Sequence, residues 1–322
     1  MLFAYASDGA RLTQLMGDFD LAGAIWIDLY RPLERQIARV AELGVTIPSL
    51  AEMEEIEVSN RLYREAGADV MTVVLPGLSE SRLPISDPVT FILTADRLIT
   101  VRHHAPRPFE TYPARADKVG PGCGSPVLVF LSLAEEITGR LADLLEGVGK
   151  ALDGLSAQVI GAEKRATDAE LQDSLTAIAR ETDLLGRIRV GLMTMERAIS
   201  YFGTLQGMTQ RKTEGRSLTP VIKGLMRDIS ALEVHADYLN NRLAMASDLT
   251  LGMVSLAQNA TVKILSVVSA LFLPPTLIAS IYGMNFAQMP ELLWGWGYAF
   301  SLVLMLAAAL GTFLVFKRKR WL

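Results

Sequence analysis

The sequence predicts an α+β cytoplasmic domain, then long helices, then a two-helix C-terminal transmembrane hairpin, assembled as a membrane homo-oligomer. Three observations carry this reading. Half of the 322 residues are hydrophobic, yet charge is spread normally over everything before Lys263. Between Lys263 and Lys317 the only formal charge is Glu291, in a short break between two apolar runs of spanning length. Two such runs joined by a short polar loop make a hairpin, because a helix satisfies its own backbone groups in hydrocarbon. Upstream, beyond a Gly/Pro-rich linker, apolar residues recur at spacings of three and four, the period of packed helices.

Residues 1–118 read as mixed α and β. β-prone runs occur at 24–29, 70–75 and 89–93, and the last turns at Ala95-Asp96 to return through 98–102, a hairpin signal. Helical patterns lie at 33–43 and 51–61. This region carries no glycine-rich phosphate loop and no nucleophile elbow, so a scaffold or regulatory domain is expected rather than an enzyme. One cysteine, Cys123, excludes an intramolecular disulfide framework and any multi-cysteine metal site. His103 and His104, two of three histidines, read as a strand end rather than a ligand pair. The opening residues have neither a basic segment nor a long apolar one, so no cleaved signal peptide is expected.

The linker is Gly120-Pro121-Gly122-Cys123-Gly124-Ser125-Pro126. Long antiparallel cytoplasmic helices are predicted over 126–218. The first has Leu141, Leu144, Leu145, Val148, Leu152, Leu155 and Val159 on one face. The second starts at Thr167-Asp168 and carries Leu171, Leu175, Ile178, Leu185, Ile188 and Leu192. Thr219-Pro220 is a strong helix start, since threonine caps free amides and proline suits the first helical position. One stalk helix is predicted over 219–282, with its membrane part at about 263–282. Its seam of Ile222, Leu225, Ile229, Leu232, Ala236, Leu239 and Leu243 suits packing against other helices. A single helix of about 95 Å, at 1.5 Å per residue, calls for partners and hence oligomerisation. An extracytoplasmic loop follows at 283–293, a second transmembrane helix at 294–316 and a basic tail at 317–322. Positive residues flanking a span mark its cytoplasmic side, so both termini are placed in the cytoplasm.

Asn259, Val262, Ser266, Ser269, Leu273, Thr276, Ser280 and Gly283 alternate at three and four along the first span, forming one stripe of small or polar residues. Leu271, Phe272, Leu277 and Ile278 lie on other faces. Hydroxyls are costly in hydrocarbon, so the stripe should face protein or water. Small residues also serve close helix–helix contact. The Gly283-Met284-Asn285 tip favours a pore: several copies of Asn285 around an axis form a ring of amide and backbone oxygens. Oxygen suits hard divalent cations, and Mg²⁺ surrenders its water reluctantly. A neutral ring holds the hydrated ion without stripping it, and weakly enough to release it. Glu291 in the outer loop raises the local cation concentration.

Tyr282-Gly283-Met284-Asn285-Phe286, Met289-Pro290-Glu291-Leu292, the second span and the terminal Lys-Arg-Lys-Arg-Trp-Leu together resemble the CorA magnesium transporters. Phe272-Leu273-Pro274-Pro275-Thr276-Leu277-Ile278-Ala279 is similar to that family's first membrane helix, and Ile25-Trp26-Ile27-Asp28-Leu29 and Glu54-Glu55-Ile56-Glu57 extend the likeness upstream. The resemblance implies a homopentameric inner-membrane channel passing Mg²⁺, Co²⁺ and Ni²⁺, with no cofactor beyond transported and regulatory Mg²⁺ and no nucleic-acid partner. It implies a selectivity filter of Gly283, Met284 and Asn285, and a lining of Asn259, Ser269, Leu273, Thr276 and Ser280. Leu265 or Leu273 would stand near a hydrophobic constriction, and Lys317, Arg318, Lys319 and Arg320 would form a positive collar at the cytoplasmic exit. It also implies closure by Mg²⁺ bound between cytoplasmic domains, with Asp228 as the sensor acid. The loop departs from the family at Phe286-Ala287-Gln288, where relatives often carry an acid beside the phenylalanine, leaving one carboxylate per subunit at the mouth. A zinc transporter shares Gly-Met-Asn, although Met-Pro-Glu-Leu favours the magnesium branch. A membrane-anchored sensor would explain the hairpin but not the stripe.

Overall fold

The computed structural model describes residues 1–16, 21–55, 57–160, 167–209, 217–284 and 294–319. These form two compact units, one of Met1–Gln158 with Thr176–Ala246, the other of Val159–Leu175 with Ser247–Leu322. The α+β domain, the long helices and the two long apolar C-terminal helices all match the predicted fold class.

The first unit is built on a seven-stranded sheet. Its strands are β1 (Leu2–Ser7), β2 (Leu12–Gln14), β3 (Trp26–Tyr30), β4 (Leu62–Glu65), β5 (Ala68–Leu78), β6 (Pro84–Leu93) and β7 (Leu98–Arg102), in the order β2-β1-β3-β7-β6-β5-β4. Every pairing is antiparallel except β3 with β7, which is parallel. A parallel pair needs a crossover. Here the crossover contains α1 (Glu34–Ala41), α2 (Leu50–Glu54), α3 (Val58–Arg61) and strands β4 to β6. The predicted helix at 51–61 is broken: α2, capped by Ser49, ends where Glu55 turns extended, with ψ at 136°. Glu52/Glu55 and Glu54/Glu57 are like-charged pairs at helical spacing, which disfavours a continuous helix.

Strand alternation divides the core in two. Phe91 and Leu93 of β6 face one side with Trp26, Met71 and Val73, while Ile92 faces the other with Ile27, Leu29, Ile99 and Val101. The second side is closed by Leu21, Val40, Val45 and Met53. The first is closed by α4 (Pro108–Thr111) and by the long helices α5 (Pro126–Ile160), α6 (Asp168–Thr209) and α7 (Thr219–Tyr282). Aromatic rings link these layers. Tyr5 stacks on Trp26 at 4.7 Å, Phe91 meets Phe130 of α5 edge-on at 5.5 Å, and Phe130 meets Phe202 of α6 at 5.2 Å.

The seams read from sequence lie in this core. Leu141, Leu145, Val148 and Leu152 of α5 pack with Ile178, Leu185, Ile188 and Leu192 of α6. Ile222, Leu225, Ile229, Ala236, Leu239 and Leu243 of α7 join them, with Leu144, Leu155 and Leu232 at the margin. Burying leucine-sized side chains contributes about 1.5–3 kcal/mol each, so these seams dominate helix stability over propensity. The side chain of Val159 lies outside the described residues.

The polar groups gathered around Asp28 inside this core are matched. Asp28 Oδ1 accepts from Thr100 Oγ1 at 2.8 Å and from Arg102 Nε at 3.1 Å, while Arg102 Nη2 donates to Oδ2 at 2.8 Å. Trp26 Nε1 donates to Thr100 Oγ1 at 3.0 Å, and the guanidinium lies over the Tyr30 ring at 4.4 Å. All of these sit on one face of the parallel β3–β7 pair.

The edge of β5 is treated differently. β4 pairs only with residues 68–71 of β5, so Val74 presents its amide beyond the end of that ladder. Thr194 Oγ1 of α6 accepts that N–H at 3.1 Å and donates back to Val190 O at 2.9 Å. The helix backbone runs close to β5 here: a Cβ at Gly191 would stand 3.4 Å from Val74 O, in van der Waals contact. At the other end of β5, the segment after β7 crosses Gly77, where a Cβ would come within 2.6 Å of the His104 ring. His104 is fully buried, and its Nε2 lies 2.8 Å from Leu75 O.

Two stability predictions follow from these buried groups. Asp28→Ala strands the Arg102 charge and should cost about 3–5 kcal/mol in chemical denaturation of the detergent-solubilised chain, whereas Asp28→Leu with Arg102→Met should cost much less. Burial pushes the His104 imidazole below its ordinary pKa, and the nearby Arg102 acts the same way. Its stabilisation is therefore complete above about pH 6.5 and is lost as pH falls from there toward the depressed folded value. Melting temperature should decline over that acid range, and less steeply in His104→Gln, which keeps a donor for Leu75 O but does not titrate.

Candidate ion-conduction site

The second unit contains the membrane part of α7 and α8 (Gly297–Arg318). Both helices are long and apolar enough to cross a bilayer, and only 6% of each one's most apolar 18-residue window is buried. A soluble core helix of that composition would be covered. These surfaces therefore meet lipid or other copies of the chain.

The covered side of spanning α7 is marked by buried Val267 and half-buried Ala270, Leu271, Pro274, Pro275, Ile278 and Tyr282. On α8 the covered positions are Gly297 and Ser301, continued by half-buried Met305, Ala308 and Thr312. The predicted stripe lies elsewhere. Asn259, Val262, Ser266, Ser269, Leu273, Thr276, Ser280 and Gly283 are all exposed. At about 100° per residue, the mean direction of the stripe is roughly 150° from that of the covered side. Leu265, 66% exposed, falls within the same sector as Thr276, and Leu273 is 67% exposed. The stripe thus occupies the free face of α7, where a lining would have to be.

The hydroxyls are not idle in the isolated chain. Ser266 Oγ donates to Val262 O at 2.8 Å and Thr276 Oγ1 to Phe272 O at 2.7 Å. This back-bonding satisfies these two donors, so for Ser266 and Thr276 desolvation is a weaker argument for a water-facing stripe than the sequence suggests. Their oxygens retain acceptor capacity toward a hydrated cation. At the outer end, Gly283 N donates to Ala279 O at 2.9 Å and Met284 N to Ile281 O at 3.3 Å, so the chain closes its helical bonds as far as Met284. Asn285 and Glu291 lie outside the described residues, as does Arg320. Lys317 and Arg318 end α8, and Lys319 follows; all three are exposed.

Asp228 is in the first unit, exposed on α7 between buried Leu225 and Ile229. Farther along α7 the acids crowd. Burial, then the charges of Glu196 and Asp237, push the Glu233 carboxyl above its ordinary pKa. Asp237 is itself held by Arg189 at 2.8 Å. Among the described residues no three His, Cys, Asp or Glu side chains converge as a metal-holding group. The Asp28–Arg102 pair was not read from sequence; its signal was an aspartate inside the apolar run Ile25-Trp26-Ile27-Asp28-Leu29.

The chain is 33% identical, over the full length of both proteins, to the magnesium transport protein CorA of Pectobacterium atrosepticum. Its fold matches the complete structure of the CorA magnesium transporter from Methanocaldococcus jannaschii, with a TM-score of 0.71 at 17% identity over 100% of this chain and 99% of that one. The ZntB cytoplasmic domain from Vibrio parahaemolyticus covers 78% of this chain and 96% of its own, with a TM-score of 0.56 at 11% identity. At such identities the two solved structures establish fold alone. The CorA-like Mg²⁺ transporter protein family profile matches residues 22–318, and with the full-length relative this places the chain in that family.

Proposed function

We propose that this chain is a divalent cation channel carrying Mg²⁺ across the cell membrane through a pore lined by the first spanning helix of several copies. The observation that carries the proposal is the polar stripe on the free face of α7 in a chain of this family. Asn259, Leu265, Ser269, Leu273, Thr276 and Ser280 line the path, and Gly283, Met284 and Asn285 form the filter. The neutral oxygens of the filter hydrogen-bond the water shell of the ion, which avoids the high cost of dehydrating Mg²⁺. Exposed Leu265 and Leu273 supply an apolar girdle that stops ions by dewetting when it narrows. Glu291 concentrates cations at the outer mouth.

Five copies, passage of Co²⁺ and Ni²⁺, and an inner-membrane location with both termini cytoplasmic complete the reading. So does a transport role without enzymatic chemistry, with residues 1–118 and the helices of 126–218 on the cytoplasmic side. Lys317, Arg318, Lys319 and Arg320 form a basic collar at the cytoplasmic boundary. Cytoplasmic Mg²⁺ closes the channel, with Asp228 among the acids that sense it. A Zn²⁺ transporter of related fold is the alternative.

In liposomes loaded with a Mg²⁺ dye, the reconstituted chain should admit Mg²⁺. Asn285→Ala should reduce entry at least about tenfold, since water polarised by Mg²⁺ is a donor comparable to a charged group, whose hydrogen bond is worth about 1.5–3 kcal/mol. Absence of Mg²⁺ entry at every internal Mg²⁺ level would sink the proposal, and Zn²⁺ uptake driven by a proton gradient without Mg²⁺ flux would favour the alternative. Asp228→Ala should raise the internal Mg²⁺ needed for closure by about fivefold or more, the low end of a typical coupling energy. An unchanged dose response would remove Asp228 from the sensor.

A further inference from the structure

The basic cluster at the end of α8 has a position that charge alone does not give it. Lys317, Arg318 and Lys319 are exposed, and among the described residues no carboxylate lies within ion-pair distance of any of them. The helix behind them has no formal charge from Gly297 to Phe316. That helix exposes Leu302, Val303, Leu306, Leu310, Phe313 and Leu314 around its circumference. A helix apolar on nearly every side is built to stand in lipid.

Its two ends fix its depth. Gly297 to Lys317 covers about 30 Å, the thickness of a hydrocarbon core. Just before and after Gly297 stand Trp296 and Tyr298, 74% and 79% exposed, with Trp294 at 52%. Exposed tryptophan and tyrosine settle at the membrane–water interface, where the ring is apolar and the N–H or O–H is wet. With the aromatic end in one interface, the three cations fall in the opposite headgroup layer.

We propose that Lys317, Arg318 and Lys319 form a binding site for anionic phospholipid, taking the headgroup phosphate. Arg318 offers a planar fork that matches phosphate oxygens bidentately, and the two lysines add point charges. The chain as a whole is acidic, at −4, so this is an island of positive charge at the membrane boundary. Soluble phosphate has the same chemistry, but the depth of the site commits it to lipid. The inference is separate from whether ions pass.

The test places the full-length chain in phosphatidylcholine bilayers with trace spin-labelled phosphatidylglycerol or phosphatidylcholine, and compares the motionally restricted fraction of each. Phosphatidylglycerol should associate at least about fivefold more strongly, the effect of roughly one surface cation. The preference should shrink with salt. It should vanish in Lys317→Gln/Arg318→Gln/Lys319→Gln while the restricted phosphatidylcholine fraction, which reports an inserted chain, stays the same. If that triple variant fails to insert, Arg318→Gln should weaken the preference, and Arg318→Lys, which keeps the charge but loses the fork, should weaken it less. Equal association of the two lipids with the native chain overturns the proposal, as does a preference that survives in the inserted triple variant or is unmoved by Arg318→Gln. A preference abolished by inorganic phosphate at matched ionic strength assigns the cluster to soluble phosphate and also overturns it.

Discussion

A buried backbone amide or carbonyl must find a partner, and the solutions to that requirement organise both units. In the first, sheet ladders satisfy most strand groups, and where β4 stops short the Thr194 hydroxyl of α6 takes the amide of Val74. In the second, the membrane removes water as a partner, so the helices must satisfy themselves. Pro274 and Pro275 break that rule inside α7, because neither has an N–H for the carbonyls of Ala270 and Leu271. Both residues with freed carbonyls are half-buried, away from the polar stripe. The stripe therefore keeps a continuous surface of side chains, and the irregular backbone lies on the covered side.

The same logic applies to charge. Among the described residues the first unit buries one full ion pair, Asp28–Arg102, and surrounds it with Thr100, Trp26 and two aromatic faces. Such a pair is not a strong source of stability, since desolvation offsets most of the attraction. What it does is penalise any other register of β3 on β7, because a slip by one residue would leave both charges unmatched. The spanning helices take the opposite course and keep formal charge out of the hydrocarbon altogether.

Much of this was legible in the sequence where burial is one-sided. The seams of α5, α6 and α7 were readable because one face of each helix is covered, which writes a period of three and four into the leucines. Thr219-Pro220 and Gly283 likewise bracket α7 closely. Strands β2 and β4 escaped because they are short, form the two sheet edges and are half-polar, while β1 is apolar at almost every position and so shows no alternation. The partner of Asp28 could not be read because it lies 74 residues away. The stripe of α7 was visible as a pattern, but a period cannot say which side of a helix is covered. The structure supplies that, and also shows that Ser266 and Thr276 bond their own helix, which spacing does not reveal.

The single parallel pairing has a further meaning during synthesis. β1 and β2 reach the rest of the sheet only through β3, and β3 joins it only through β7. The first thirty residues thus have no route into the sheet until Leu98–Arg102 has been made. At about 5–20 residues per second, the roughly 70 residues between them occupy a ribosome for about 4–14 s. Through that interval Trp26, Ile27 and Leu29 can pair with β1 but lack Leu98, Ile99 and Val101 of β7, a window in which chaperones or a misdirected strand can reach them. The stretch that closes the sheet is therefore the one that ends the exposure of the N-terminus.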